Sequence, residues 1–104
     1  MLYKFDGKQP VVGENSYVSD TARVIGDVVI EDNCYIGHGA ILRGDYGRIE
    51  IGDGTAVEEG VIVHAPPNDV NRIGKNGRAF NQLLHTNTAP SDLSLTCNNC
   101  DLVK

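Results

Sequence analysis

Aliphatic residues recur at every sixth position through the first part of the chain. Steps of six from the first of them reach an aliphatic residue each time: Val12, Val18, Val24, Ile30, Ile36 and Leu42. The spacing then slips by three residues and resumes at Ile51, Val57 and Val63, and it slips by four more before Ile73. An amphipathic helix needs a spacing of about 3.6, and a half-buried strand alternates with a period of about two. Neither element explains a period of six.

A period of six is typical of a parallel β-helix with a triangular cross-section. Each unit supplies one short strand and one corner, and stacked coils bury a continuous core. The aliphatic residue points inward, and a small or medium residue four positions later lies near the corner, as at Ser16, Ala22, Val28, Cys34 and Ala40. We therefore predict an all-β domain over residues 1–76, with about four coils. A β-sandwich of short strands is the alternative.

The repeat fails after Ile73, where the next expected positions hold Ala79, His85 and Ser91. Residues Arg78–Leu84 (RAFNQLL) place their apolar side chains on one helical face and predict a short C-terminal helix. We expect 77–104 to be a divergent helical or irregular tail of the same domain. Its onset at about Gly77 has two explanations: a shifted reading frame or truncation, or a cap built from new sequence.

Composition narrows the range of partners. The chain has 104 residues and a net charge of −5 with no basic patch, which argues against nucleic acid and anionic membranes. It contains neither an apolar run of membrane-spanning length nor an apolar N-terminal leader, so we expect the cytoplasm. Cys34 occupies a small-residue position and is expected to be buried. Cys97 and Cys100 form a lone CxxC, a weak signal for zinc or redox chemistry.

Charged residues and a histidine gather between Ile41 and His64. Arg43 and Asp45 are one residue apart on an extended segment, so their side chains leave from the same face. They either order a pocket or subunit interface or form a plain corner salt bridge. Glu58 and Glu59 are adjacent and should point to different faces, either near a metal or as surface charge. His64 follows an inward aliphatic residue, so it faces outward at a metal site or as an ordinary exposed or interfacial histidine.

The repeat, Arg43-Gly44-Asp45 and Val63-His64 together resemble the γ-class carbonic anhydrase-like family of left-handed β-helix proteins. The resemblance covers about Val11 to Asn76 and rests on ARVIGDV, AILRGDYGRIEIGDG and EEGVIVHA in that order. It implies left-handed winding and a homotrimer that holds zinc, or another divalent metal, between protomers. It also implies His64 as the first metal ligand and catalytic positions at Arg43 and Asp45, and it places Ala56 and Glu58 where family members often carry an asparagine and a glutamine near the metal. Glu58 would orient the metal-bound hydroxide or relay protons.

The chain departs from that family where the other metal ligands are expected. The family's spacing places them at Asn81 and Thr86, which are poor zinc ligands beside imidazole. His85, one position away, is either a substitute ligand across a trimer interface or a solvated residue. His38 lies in a segment similar to the family's two-histidine motif, but this segment comes a coil or more before the position where the motif is expected. We interpret the similarity as a consequence of the six-residue repeat. We therefore expect weak or no hydration of carbon dioxide.

Two other functions use the same fold. An acyltransferase would use His64 as a base and a groove between coils for the pantetheine arm of an acyl-CoA. A non-enzymatic oligomeric scaffold would need neither. Zinc content separates the first function from both others, and acetyl-CoA binding identifies the second. An active protein of either enzymatic kind takes a small-molecule substrate. Because about four coils bury little core, we expect a homo-oligomer, with a trimer favoured.

Overall fold

A computed structural model describes residues 1–79, 83–84, 88–89 and 94–95, and the side chains of residues 1–77. Strands are the regular elements of this part of the chain, and all of their pairings are parallel. The strands are β1 (Leu2–Tyr3), β2 (Val11–Val12), β3 (Tyr17–Val18), β4 (Arg23–Ile30), β5 (Tyr35–Ile36), β6 (Ile41–Ile51), β7 (Ala56–Val57), β8 (Ile62–His64), β9 (Val70–Ile73), β10 (Arg78–Ala79), β11 (Leu83–Leu84), β12 (Thr88–Ala89) and β13 (Ser94–Leu95). This arrangement confirms the predicted parallel β-helix.

The strands stack into three walls. Wall 1 contains β1, β8, β11 and the first halves of β4 and β6. Wall 2 contains β2, β9, β12 and the second halves of β4 and β6. Because β4 and β6 run through the corner between these walls, both walls belong to one eight-stranded sheet. Wall 3 is a separate five-stranded sheet of β3, β5, β7, β10 and β13.

The six-residue pattern forms the core. From the second coil onward its aliphatic residues are fully buried: Val24, Ile30, Ile36, Leu42, Ile51, Val57, Val63 and Ile73. The residues predicted beside them, Ala22, Val28, Cys34 and Ala40, are buried as well. Val12 and Val18 in the first coil are partly buried and pack against this core. Each fully buried aliphatic side chain contributes about 1.5–3 kcal/mol of transfer free energy, so the stacked column is the main stabilising feature.

The corner between walls 1 and 2 absorbs both slips of the repeat. Ile25 pairs with Arg43, and Arg43 pairs in turn with His64. The stretch of chain from Arg43 to His64 is longer than the stretch from Ile25 to Arg43, because it contains the residues that the first slip adds. The circuit from Ile51 to its partner Ile73 contains the second slip. The extra residues lengthen the coils without changing which residues point inward. From Val12 through Ile30 and Ile51 to Ile73 the chain makes about three turns, rather than the four predicted.

The corner between walls 2 and 3 depends on left-handed backbone. Asn15, Asn33, Gly54 and Asn76 have φ values of 58°, 58°, 71° and 56° and stack in successive coils. Each of the last three donates its backbone N–H to a carbonyl of the coil before, at 2.8–2.9 Å. Asparagine and glycine are the residues that adopt this conformation most readily, which explains their recurrence here.

The C-terminal helix predicted over Arg78–Leu84 is absent from the described residues of that segment. Arg78–Ala79 pairs with β7 and Leu83–Leu84 pairs with β8, so the walls continue beyond Ile73. Short apolar runs fit either helix or strand, and here the exposed edges of β7 and β8 provide pairing partners. Residues 80–82, 85–87, 90–93 and 96–104 lie outside the described part. The described residues include no helix long and apolar enough to cross a membrane.

Candidate functional site

Wall 1 brings Arg43 and His64 together. The two residues are paired across adjacent strands β6 and β8, and each directly follows a buried aliphatic residue, Leu42 and Val63. Because side chains alternate along a strand, both therefore leave the outer face of the wall. The outward orientation predicted for His64 agrees with this geometry.

Arg43 and Asp45 form the ion pair that their spacing suggested. Arg43 Nη2 donates to Asp45 Oδ2 at 3.0 Å, and the Asp45 side chain is only 17% exposed. Asp45 Oδ1 is buried and has no hydrogen-bond partner among the described residues. Gly44 lies between them, where a Cβ would stand 2.6 Å from the Asp27 carbonyl oxygen. Glycine at this position allows the two coils to approach closely.

Tyr46 is a site residue that the sequence analysis missed. Its ring lies edge-on to the His64 ring, with centroids 5.8 Å apart and planes at 70°. The Arg43 guanidinium carbon lies 5.9 Å from the same ring centroid. Although it makes both contacts, Tyr46 remains 61% exposed. The three-residue slip after Leu42 could have indicated Tyr46, because residues added at a corner lie outside the walls.

Asn71 was also missed. This fully buried residue of β9 donates its side-chain Nδ2 to the His64 carbonyl oxygen at 2.9 Å. It is paired with Ile49, a core residue, so it occupies an inward position. A pattern defined by aliphatic residues at a spacing of six does not identify a polar residue at an inward position.

The other acidic and histidine candidates lie at the opposite end of wall 1. Glu58 follows β7 on wall 3, whereas His64 is the last residue of β8 on wall 1. Its neighbour Glu59 accepts a 2.5 Å hydrogen bond from the Tyr35 hydroxyl. That bond raises the pKa of Tyr35 to about 12 and lowers the pKa of Glu59.

His38 is engaged in contacts between coils. Its Nδ1 lies 2.5 Å from Thr21 Oγ1, which also accepts the Gly39 N–H at 3.2 Å. Cys34 is buried, as predicted, and its Sγ donates to the Gly52 carbonyl oxygen at 3.1 Å. Desolvation raises the pKa of this thiol. Cys97 and Cys100 lie outside the described residues.

A network of ion pairs covers wall 2. Arg48 contacts Asp27 at 3.0 Å and Glu50 at 2.7 Å, and Arg72 contacts the other oxygen of Glu50 at 2.7 Å. Hydrogen bonds from Arg72 and Arg48 lower the pKa of Glu50. These residues join three successive coils on a wall next to the Arg43–His64 group.

The described residues do not by themselves form a metal centre. Among them, no group of three or more His, Cys, Asp and Glu side chains is arranged to hold a metal ion. His64 contributes one imidazole, whereas catalytic zinc needs about three protein ligands. Positions 81, 85 and 86, where the sequence analysis looked for further ligands, lie outside the described residues. These residues alone therefore support no chemical step through a metal.

Known proteins are similar to this chain in sequence and structure. A family model described as bacterial transferase hexapeptide (six repeats) matches residues 9–44. The carnitine operon protein CaiE of Escherichia coli O157:H7 is 40% identical over 75 residues, which cover 72% of this chain and 38% of that protein. The CaiE protein of Escherichia coli K12 / DH10B matches to the same extent.

A solved structure extends this similarity to the fold. A hexapeptide transferase family protein from Anaplasma phagocytophilum superposes with a TM-score of 0.70 and 34% sequence identity. The alignment covers 82% of this chain and 47% of that chain. The chain spans about two fifths of the length of the curated relatives that it matches.

Proposed function

This chain belongs to the hexapeptide-repeat family, and on that premise we propose that it is a γ-carbonic anhydrase-like protein with weak or no carbon dioxide hydration activity. The observation that carries the proposal is the pairing of Arg43 with His64 on one outer face, with Asp45 held 3.0 Å from Arg43. Three residues that the family resemblance selected from two different coils thus form one group.

We further propose that this group lies at the interface of a homotrimer. Tyr46 presents an exposed ring beside Arg43 and His64. Tyrosine and arginine are the residues that most often anchor protein–protein contacts. Closed rotational symmetry would bury this face in every copy and would add core to a domain of few coils.

The low activity follows from the donor set. Bound zinc supplies a hydroxide at neutral pH when its coordination shell leaves one position open to water. His64 is the residue that would hold the metal here, with Arg43 fixing the Asp45 carboxylate nearby. The family's two remaining ligand positions hold Asn81 and Thr86. An incomplete shell should bind zinc weakly and leave most chains without it.

Metal content and hydration rate together test the proposed function. The full chain, purified without added metal, should contain well below one zinc per chain and show hydration near the uncatalysed rate. His64→Ala should remove the residual zinc, whereas His38→Ala, a histidine at the other end of wall 1, should not. Near-stoichiometric zinc with hydration that is lost only in His64→Ala would show that the site is complete and the proposal wrong.

Light scattering tests the assembly. A chain of 11.2 kDa should give a trimer mass at micromolar concentration. Tyr46→Ala should shift the population towards monomer. Tyr17→Ala is the matched control, because Tyr17 is similarly exposed but lies on wall 3. A monomer mass for the unmodified chain, or equal effects of the two substitutions, would contradict the proposed interface.

Acyl transfer is the second candidate function. It is favoured by the transferase descriptions of the matched family model and of the Anaplasma structure. In this function His64 would act as a general base towards the acyl acceptor. Calorimetric titration with acetyl-CoA distinguishes the two functions, since saturable binding weakened by His64→Ala supports acyl transfer. A trimer that binds neither zinc nor acetyl-CoA would instead be a scaffold.

A further inference from the structure

Asn71 occupies a position where the fold calls for an apolar side chain. It is paired with Ile49, which is paired with Val28, and both of these residues are fully buried. Asn71 is itself 0% exposed. A buried carboxamide destabilises a fold unless its polar atoms find partners.

The carboxamide is only partly satisfied. Nδ2 donates to the His64 carbonyl oxygen at 2.9 Å, whereas Oδ1 is buried with no hydrogen-bond partner among the described residues. Rotating the amide by half a turn would set oxygen against oxygen, so the donor assignment follows from chemistry. An apolar residue of similar shape would suit this column at least as well. The bond to His64 is therefore the distinguishing effect of Asn71.

The hydrogen bond between Asn71 and His64 holds the chain at the end of β8, where pairing within the walls stops. Strand β8 ends at His64, and β9 begins at Val70 after an enlarged corner. Gly47 of the preceding coil packs against the same corner, close to Ala65, Pro66 and Asp69. Holding the His64 carbonyl oxygen restrains the peptide plane that follows His64 and so restrains the backbone from which the imidazole leaves the wall.

We propose that Asn71 is a positioning residue that keeps the His64 imidazole beside Tyr46 and Arg43. It acts from inside the β-helix on a side chain that lies outside it. The inference rests on the proposed function only for the role of His64. The anchoring itself can be measured whether or not the protein binds a metal.

Asn71→Leu tests the proposal because leucine has nearly the shape of asparagine and no donor. The variant should unfold at the same temperature as the unmodified protein or higher, since it removes a half-satisfied amide from the core. In ¹H–¹⁵N spectra of the imidazoles, the His64 signals should shift or broaden while those of His38 stay in place. Ile49→Leu is the matched control, because it alters packing in the same column and leaves the bond intact. It should move neither histidine.

Unchanged His64 signals in a folded Asn71→Leu protein would overturn the proposal. Should that variant fail to fold, the unmodified protein still decides the question through exchange of its side-chain amides. The Asn71 amide protons should exchange with deuterium measurably more slowly than those of exposed Asn15 and Asn68. Exchange as fast as theirs would show that the bond to His64 does not persist. A shift of the His64 signals in Asn71→Leu with no change in the residual zinc content would count against the proposed function alone.

Discussion

Arg43 and His64 are paired on wall 1 although a whole coil of the chain separates them in the sequence. Their proximity follows from coil length rather than from any local turn. One full circuit of the β-helix returns the chain to the same wall, one strand further along. A functional group built in this way needs the correct number of residues in the intervening coil, because a slip by a single position would turn His64 inward.

Removing Arg43 should destabilise the fold more than removing an arginine from the surface network. Arg43→Met leaves the 17%-exposed Asp45 carboxylate without its described partner and should cost about 1–3 kcal/mol. Arg72→Met is the control, because Arg72 is 52% exposed and Glu50 keeps its contact with Arg48. It should cost less than about 1 kcal/mol. Urea unfolding at neutral pH measures both, and equal losses would contradict the special status of the Arg43–Asp45 pair.

Tyr35 should ionise at a higher pH than an ordinary tyrosine. Its bond to Glu59 raises its pKa from 10.0 to about 12. Because the folded pKa is the higher one, the stabilisation is complete below about pH 10 and is lost as the pH rises towards 12. Absorbance at high pH should show one of the four tyrosines titrating late. Glu59→Gln should bring the pKa of Tyr35 back towards 10.0, whereas Tyr17→Phe, which removes only the hydroxyl from a stacked neighbour, should leave it raised.

The hydrogen bond between Tyr35 and Glu59 should also lose its stabilising effect at acidic pH. The pKa of Glu59 is lowered from 4.5, so its stabilising contribution is present above that value and lost as the pH falls through the lower, folded pKa. The stability difference between the unmodified chain and Tyr35→Phe should therefore be flat from mildly acidic pH to about pH 10 and should shrink at both extremes. Denaturant unfolding across pH measures this difference. A difference that grew at either extreme would be incompatible with the bond.

Asn33 should tolerate glycine but not alanine. Its φ is 58°, and the next coil already has Gly54 at the equivalent corner. Alanine in left-handed backbone should cost about 1–2 kcal/mol, whereas glycine should be close to neutral. Thermal unfolding of Asn33→Ala and Asn33→Gly provides the comparison. The backbone explanation of this corner fails if the two variants have the same midpoint.

Thr55 should prove important for attaching the coil that follows Ile73. Its buried hydroxyl donates to the Gly74 carbonyl oxygen at 2.7 Å and accepts the Gly77 N–H at 3.2 Å. Thr55→Val keeps the shape and removes both bonds, which should cost about 1–3 kcal/mol. Thr55→Ser keeps the hydroxyl and should cost less. Hydrogen exchange at the Gly77 amide should accelerate in the valine variant only, and faster exchange in both would point to lost packing instead.

The sequence predicted the walls and the inward column because one periodic signal determines both. Val24, Leu42 and Val63 follow that period, and all three are fully buried. The slips of the repeat likewise predicted where coils lengthen. The helix predicted at Arg78–Leu84 is not confirmed: Arg78–Ala79 and Leu83–Leu84 are strands, and so short a segment cannot distinguish the helical period from the strand period. These residues form strands because they pair with β7 and β8, and a local sequence pattern does not reveal such pairing.

The contacts around His64 could be predicted only in part. The shared face of Arg43 and Asp45 follows from alternation along a strand. The contacts made by Tyr46 and Asn71 depend on how residues from different coils meet at an enlarged corner. A periodic pattern shows which positions point inward, but it cannot show that a polar residue at one of them reaches a particular carbonyl oxygen.

The corner between walls 1 and 2 gives this architecture a place to grow. Coils of different lengths stack there while the inward column stays in register. The length of the loop at this corner can therefore vary without changing the strand pairing, since each added residue only enlarges the corner. A peptide grafted between Pro66 and Asp69 should therefore leave the coils on either side in register and should interfere with the proposed interface beside His64.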